Sequence, residues 1–356
     1  MHPLQLSFRK HLLKFNFEAG TSRGVLTQRY TYYLALKGNH AVGIGEASPL
    51  QGLSVDWLAN FETLLCHFVE QFNKQKFEQG QEQAINWVFE NTKQLPSVRF
   101  GMETAMADLQ NGGKRQIFNT PFFEGKRAIP INGLVWMGTE RFMLEQIEQK
   151  LAEGFKCLKL KIGAINFEQE LNLLKHIRQR FSPEQIVLRV DANGAFSPTE
   201  ALEKLHRLAP LGIHSIEQPI RQGQGQAMHQ LCRNSPVPIA LDEELIGIST
   251  PQAQAQLLDL IRPQYIILKP TLLGGFAQTA QWIALAEARQ IPWWITSALE
   301  SNIGLNAICQ FTDTYQNPLP QGLGTGKLYQ NNIASPLVVQ NGYIEYQPHV
   351  AWAEHE

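Results

Sequence analysis

From about residue 129 the chain alternates between two spacings of apolar positions. Short apolar runs of strand length are each followed by a polar or glycine turn, and then by a segment with apolar residues three or four positions apart. The runs are "IPINGLV" (129–135), "KCLKLKIG" (156–163), "IVLRVDAN" (186–193), "IHSIEQP" (213–219), "VPIALDEE" (237–244), "YIILKP" (265–270), "PWWITSALE" (292–300) and a weaker "QGLGTG" (321–326). Between them, Leu144, Ile147 and Leu151 share one helical face, and Phe167, Leu171 and Leu174 another. "SPTE" (197–200) has the residues of a capping box with proline at the first helical position. Strands alternating with helices at this interval predict a parallel sheet, and eight units predict a closed α/β barrel of the (β/α)8 TIM type over residues 126–329. An open doubly wound sheet is the runner-up; no GxGxxG follows the first strand, which removes its commonest nucleotide-binding form.

The pattern differs before residue 126. "LQLSFRKHLLKF", "GVLTQRYTYYLALKG" and "HAVGIGEASPL" read as strands, and "DWLANFETLLCHFVEQF" and "VRFGMETAMADLQNG" as helices. Strands followed by helices predict a separate N-terminal α+β capping domain over residues 1–125. The tail, 330–356, contains "LVVQNGYIEYQP", strand-like with an Asn-Gly turn, and is expected to return to the first domain.

In "KCLKLKIG" the apolar residues Leu158, Leu160 and Ile162 alternate with Lys159 and Lys161, so both lysines share one face of a strand that helices should cover. A lone KxK reads as an exposed edge strand; the other strand ends change that picture. In such a barrel the chemistry sits at the carboxyl ends of the strands. There the chain offers Lys161, then Asp191 and Asn193, then Glu217, then Asp242 with Glu243 and Glu244, then Lys269. These fall about one βα unit apart, in the order cation, anion, anion, anion, cation. One acid after a strand is an ordinary helix cap. Three on adjacent strands would repel unless a cation sat among them. Oxygen ligands without a His/Cys set call for a hard divalent ion, Mg2+ first and Mn2+ as its substitute. A lysine beside another cation and a metal has a lowered pKa and can take a proton α to a carboxylate. Arg189 and Asn193 lie one pleat either side of Asp191, within reach of a ligand, with a barrel-core ion pair as the alternative for Arg189.

Composition changes little. Thirty-one basic and 32 acidic residues leave a net charge of −1, which argues against a nucleic-acid binder. No polybasic run or long apolar stretch predicts a membrane partner, and the N-terminus has no apolar signal core, so a cytoplasmic location is expected. Four widely spaced cysteines read as reduced core thiols.

The motifs "KLKIG", "DANGAF", "IEQPI", "ALDEEL" and "ILKPTLLGGF" occur in the order found in the enolase superfamily, and the sequence resembles its muconate-lactonizing subgroup over nearly the whole chain. The resemblance implies that Asp191, Glu217 and Asp242 bind Mg2+ and that Lys161 is the base. It implies that Lys269 stays charged on the opposite face and that Lys159 tunes Lys161. "KPTLLGG", "SALESNIGLNA" and "GIGEASPLQGLS" are similar to segments of the subgroup's dehydrating branch. That implies syn-dehydration of 2-succinyl-6-hydroxy-2,4-cyclohexadiene-1-carboxylate to 2-succinylbenzoate, in menaquinone or phylloquinone biosynthesis. An N-acylamino-acid racemase or dipeptide epimerase would use the same core motifs. The small-molecule carboxylate is expected to meet Ser297, Ser301 and Asn302, where the start of a helix offers N–H groups, with N-capping by Ser301 as the alternative. Gly324, Thr325 and a lid-loop Arg23 complete the expected contacts.

Overall fold

A computed structural model describes residues 4–21, 24–78 and 80–353. Its N-terminal part is an antiparallel sheet of β1 (Gln5–Thr21), β2 (Gly24–Lys37) and β3 (Val42–Ala47), in that order, with helices α1 (Phe61–Asn73), α2 (Gln81–Asn91) and α3 (Pro96–Gln110) on it. Leu34 and Leu36 from the sheet meet Phe68, Phe72, Val98 and Met102 from the helices in one buried cluster.

After the two-residue β4 (Ile129–Pro130) comes a parallel sheet whose spatial order is its chain order: β5 (Gly133–Val135), β6 (Cys157–Lys161), β7 (Val187–Asp191), β8 (Ile213–Glu217), β9 (Ile239–Leu241), β10 (Tyr265–Leu268) and β11 (Trp293–Ile295). Its outer face is covered by α4 (Glu140–Ala152), α5 (Phe167–Arg178), α6 (Pro198–Leu208), α7 (Gly225–Asn234) and α8 (Pro251–Ile261). After β10 come α9 (Pro270–Leu273) and α10 (Gly275–Glu287), and after β11 comes α11 (Asn302–Asp313). The helices start where the sequence offers oxygen caps. Thr139, Asn166 and Thr250 each accept a first-turn N–H, and Ser197 with Glu200 forms the reciprocal box. Leu158, Leu160 and Ile162 face outward into the core shared with Leu171 and Leu174, which turns Lys159 and Lys161 to the barrel interior.

The seven strands curl, and the eighth position is filled by a short contact. Gln321 bridges Ile131 and Gly322 bridges Thr296, both parallel, so residues 321–322 close the barrel of a (β/α)8-type fold. The expected strand at 321–326 is thus reduced to two bridging residues. Glycine at 322 is required by the close approach: a Cβ there would stand 2.3 Å from Thr296 Oγ1.

The tail forms a hairpin of β12 (Leu337–Gln340) and β13 (Tyr343–Tyr346) turning at Asn341-Gly342, where both residues have positive φ. It pairs with β4 at the base of the barrel, Ile344 opposite Ile129. Toward the first domain, to which the tail is expected to return, the hairpin offers Tyr346 to the rings of Phe122 and Phe123 and pairs with no strand of the N-terminal sheet among the described residues. Only the segment before it reaches β1, through Leu328 O accepting from Asn16 N (2.8 Å) and Gln330 N donating to Lys14 O (2.9 Å). All four cysteines are free; Cys157, Cys232 and Cys309 are buried, but Cys66 is exposed and not a core thiol. Among the described residues no helix is long and apolar enough to cross a membrane.

Candidate active site

The register of the parallel strands assembles the charges. Lys161 pairs with Asp191, and Asp191 with Glu217, so the ends of β6, β7 and β8 stand level. Glu217 pairs with Ala240, which puts Asp242, the residue after β9, one pleat beyond Glu217's partner. Lys269 follows β10 directly. β6 and β10 flank β7, β8 and β9, so two lysine-bearing strands bracket three carboxylate-bearing ones.

Lys159, Lys161, Lys269, Asp191, Glu217 and Asp242 are all buried, and their contacts interlock. Lys159 Nζ is 2.9 Å from Asp191 Oδ2 and also contacts Glu217 Oε2. Lys161 Nζ donates to Asp191 Oδ2 (2.9 Å) and to Asn193 Oδ1 (2.7 Å). Lys269 Nζ contacts Asp242 Oδ2 and lies 3.8 Å from Glu217 Oε1.

These surroundings separate the three lysines. Burial lowers the pKa of Lys161, Asp191 opposes the shift, and the neighbouring Lys159 cation lowers it further; the net direction is down. Burial pulls Lys159 down too, but attraction to Asp191 and Glu217 outweighs it and its pKa is raised. Lys269 is likewise raised against burial, by Asp242 and Glu217. One lysine is therefore tuned toward a neutral amine and two are held as ammonium ions. Burial and the like charge of Asp191 push Glu217 well above the usual carboxylate range. The lysines hold Asp191 and Asp242 below it despite their burial.

The donor set fits a hard divalent ion: three buried carboxylates, oxygen only, with cations in every gap. Glu217 Oε1 accepts no hydrogen bond. As the side chains stand, no three acidic, histidine or cysteine groups among the described residues close around one point. The ammonium groups of Lys159 and Lys269 stand between the carboxylates.

A cavity of about 280 Å³ opens above this cluster, and Lys159, Lys161, Asn193, Lys269, Ser297, Gly324 and Thr325 line it. Its far wall is apolar and comes from the N-terminal part: Val25, Leu26, Leu50, Leu53 and Trp57. Sequence reasoning looked for charges, so it missed these and Trp136, whose ring centroid is 6.0 Å from Lys161 Nζ. The apolar segment "GLVWMG" ahead of the first barrel helix was the available signal for Trp136.

Three expected contacts fall elsewhere. Arg189 points down the barrel: its guanidinium carbon is 3.9 Å from the Trp294 ring centroid and Nη1 donates to Pro320 O (2.7 Å). It reaches neither the cavity nor, among the described residues, a carboxylate, so neither the ligand contact nor the core ion pair holds. Ser301 and Asn302 are also turned away. The N-terminus of α11 does bind a carboxylate, but that of Glu46 from β3. Glu46 accepts from Ser301 N (2.9 Å), Ser301 Oγ (2.6 Å) and Gly304 N (2.8 Å). The seat expected for a substrate is thus filled internally, and Ser301 caps the helix by accepting from Ile303 N. Asn302 is engaged with Asn332 and Ile333. Arg23 lies outside the described residues.

Comparison with known proteins agrees with this layout. The family model described as Enolase C-terminal domain-like matches residues 143–349. The chain belongs to the enolase superfamily. Among superfamily members, an o-succinylbenzoate synthase of Desulfotalea psychrophila is 48% identical, over 97% of this chain and 99% of its own. The crystal structure of MenC from the same organism superposes with a TM-score of 0.86 at 44% identity, covering 96% of this chain and 99% of that one. An L-Ala-D/L-Glu epimerase of Bacillus subtilis is 25% identical over 78% of this chain and 75% of its own.

Proposed function

We infer that this chain performs the o-succinylbenzoate synthase reaction, the divalent-metal-dependent syn-dehydration of 2-succinyl-6-hydroxy-2,4-cyclohexadiene-1-carboxylate to 2-succinylbenzoate. The observation that carries this reading is the likeness over nearly the full length of a synthase at 48% identity, together with the divided lysine set beneath one cavity. Residues 1–125 act as a cap over the mouth of a catalytic barrel spanning 126–329.

Lys161, with its lowered pKa, takes the proton α to the ring carboxylate. As an ammonium it then returns a proton to the departing hydroxyl on the same face, which makes the elimination syn. Lys269 remains protonated and faces the growing negative charge of the enediolate. Lys159 stays charged and keeps its neighbour's pKa down. Asp191, Glu217 and Asp242 would hold Mg2+, or Mn2+ in its place, which when bound supplies Lewis-acid stabilisation to the enediolate oxygens. A lysine base with Mg2+ is the superfamily's own pattern. Ser297, Asn193, Gly324 and Thr325 form the polar wall of the cavity and the N-terminal leucines with Trp57 the apolar one. The product's chemistry belongs to menaquinone or phylloquinone biosynthesis in the cytoplasm.

The test is decay of the diene absorbance when the protein meets this substrate with Mg2+, abolition of that decay by a chelator, and restoration by Mn2+. An unchanged absorbance together with brisk racemisation of N-succinyl amino acids would assign the chain to the racemases instead.

A further inference from the structure

Gln218 follows Glu217 directly and is fully buried, yet its backbone takes the left-handed conformation, φ +39°, which a non-glycine residue adopts at a cost of about 1–2 kcal/mol. Such strain persists only where surrounding bonds fix it. Here they span the three strands that carry the acidic cluster. The main chain of Gln218 donates to Ala240 O on β9 (2.9 Å) and accepts from Gly194 N beyond β7 (2.7 Å). Its side-chain Oε1 accepts from Asp242 N (3.2 Å) and Glu244 N (3.3 Å). Nε2 donates to Ile220 O (3.0 Å) and Glu244 Oε2 (3.0 Å). The amide thus uses both of its donors and both acceptor positions, and each end has a partner that only an uncharged primary amide satisfies.

We propose that Gln218 is the positioning residue that sets the spacing of Asp191, Glu217 and Asp242, and so the affinity of the site for its divalent ion. This rests on the reading of those three residues as metal ligands. The side chain touches none of the three carboxylates. The side chain holds the backbone of Asp242 directly, while the main chain of Gln218 carries Glu217 as its chain neighbour and holds the turn after Asp191 through Gly194. Loss of an outer contact of this kind weakens metal affinity about 10–100-fold.

Mn2+ binding to the purified protein, followed by electron paramagnetic resonance and calorimetry, tests the proposal with Gln218→Met and Gln218→Glu. Methionine keeps the volume and removes the four hydrogen bonds. Glutamate keeps the shape but sets a charge against Glu244 Oε2 and Ile220 O. Both are expected to raise the Mn2+ dissociation constant at least tenfold. Saturating Mn2+ is expected to return kcat to within about threefold of the parent, so the defect lies in metal affinity. Glu244→Gln, which keeps an acceptor for Nε2, is the milder variant should both fail to fold, and is expected to weaken Mn2+ binding about threefold. A merely structural role would lower thermal stability without moving the dissociation constant of the folded fraction, and that result overturns the proposal. If the parent protein binds no Mn2+, or binds it unaltered after Asp191→Asn, the ligand reading itself fails. If the parent's binding depends on Asp191 while the Gln218 variants bind as tightly as the parent, only the positioning role fails.

Discussion

Three non-glycine residues with left-handed backbones, Asn193, Gln218 and Leu299, stand just beyond the ends of β7, β8 and β11, beside the charged cluster or on the cavity wall. Strained residues of this kind gather where side chains must be aimed rather than merely packed. Asn193 shows what the aiming achieves. Its Nδ2 donates to Glu243 Oε1 (3.0 Å), which leaves Oδ1 as the face offered to Lys161. Lys161 is therefore held by two acceptors while Lys159 and burial lower its pKa. Replacing Lys161 with alanine is expected to cut turnover by at least about a thousandfold, the range of a lost general acid–base group. Mn2+ affinity is expected to stay the same or tighten, because a hydrogen-bond donor competing for Asp191 Oδ2 is gone. Diene absorbance measures the first and paramagnetic resonance the second; a loss under tenfold would remove Lys161 from the base role. At this scale the sequence was informative wherever strand ends and charge coincide, because βα spacing places strand ends without any tertiary knowledge. It failed where a polar side chain already had an internal partner. Nothing near Arg189 in the chain announces that Trp294, more than a hundred positions later, will take its guanidinium.

Among the elements, α11 carries the clearest lesson. Its start reads as an anion seat, and it is one, but the anion arrives from β3, about 255 positions away in the chain. Glu46 is buried and accepts from Thr31 Oγ1 (2.7 Å) as well as from the α11 terminus, so one carboxylate joins the N-terminal sheet to the barrel. Removing it leaves the Ser301 and Gly304 N–H groups buried without an acceptor. Glu46→Ala is expected to cost on the order of 3 kcal/mol, and Glu46→Gln less, since an amide oxygen replaces part of the set. Urea unfolding measures both, and equal effects would mean that packing rather than acceptance matters at this position. Helices were legible because their caps are local, as the Ser197–Glu200 box shows. The eighth strand and the partner of the tail hairpin were not. Residues 321–322 become a strand position only by lying between Ile131 and Thr296, and period-two alternation cannot say which edge a hairpin will meet.

At the scale of the whole molecule, α3 is held by two buried carboxyl groups whose ionisation works against stability, and one of them, Glu103, links the two halves. Glu103 on α3 accepts from Phe276 N and from Ala277 N (3.4 Å) at the start of α10. Gly275 there has φ +93°, and a Cβ on it would lie 2.2 Å from Glu103 Oε2, so only glycine admits the carboxyl. Burial pushes Glu103 up to about 7, against the backbone bonds and Arg99. Burial also pushes Asp56, which accepts from Ser97 N (2.9 Å) in the first turn of α3, up to about 6. Both folded values exceed those of the unfolded chain, near 4. Between these limits the folded state holds protons that the unfolded state has released, so stability falls as pH rises. The contribution is complete below about pH 4 and is lost through pH 6 to 7, a change of about 3 kcal/mol for a shift the size of that at Glu103. Carboxylates with depressed values act in the opposite sense only at lower pH, which makes pH 5.5 to 8.5 the window to measure. Glu103→Gln keeps an acceptor for α10 and cannot ionise. Its urea midpoint is expected to decline less than the parent's across that window, so that the variant gains on the parent as pH rises. Parallel curves for the two proteins would show that Glu103 does not change its charge in the folded molecule across this window, and that it ties α3 to α10 as an acceptor without making the link sensitive to pH.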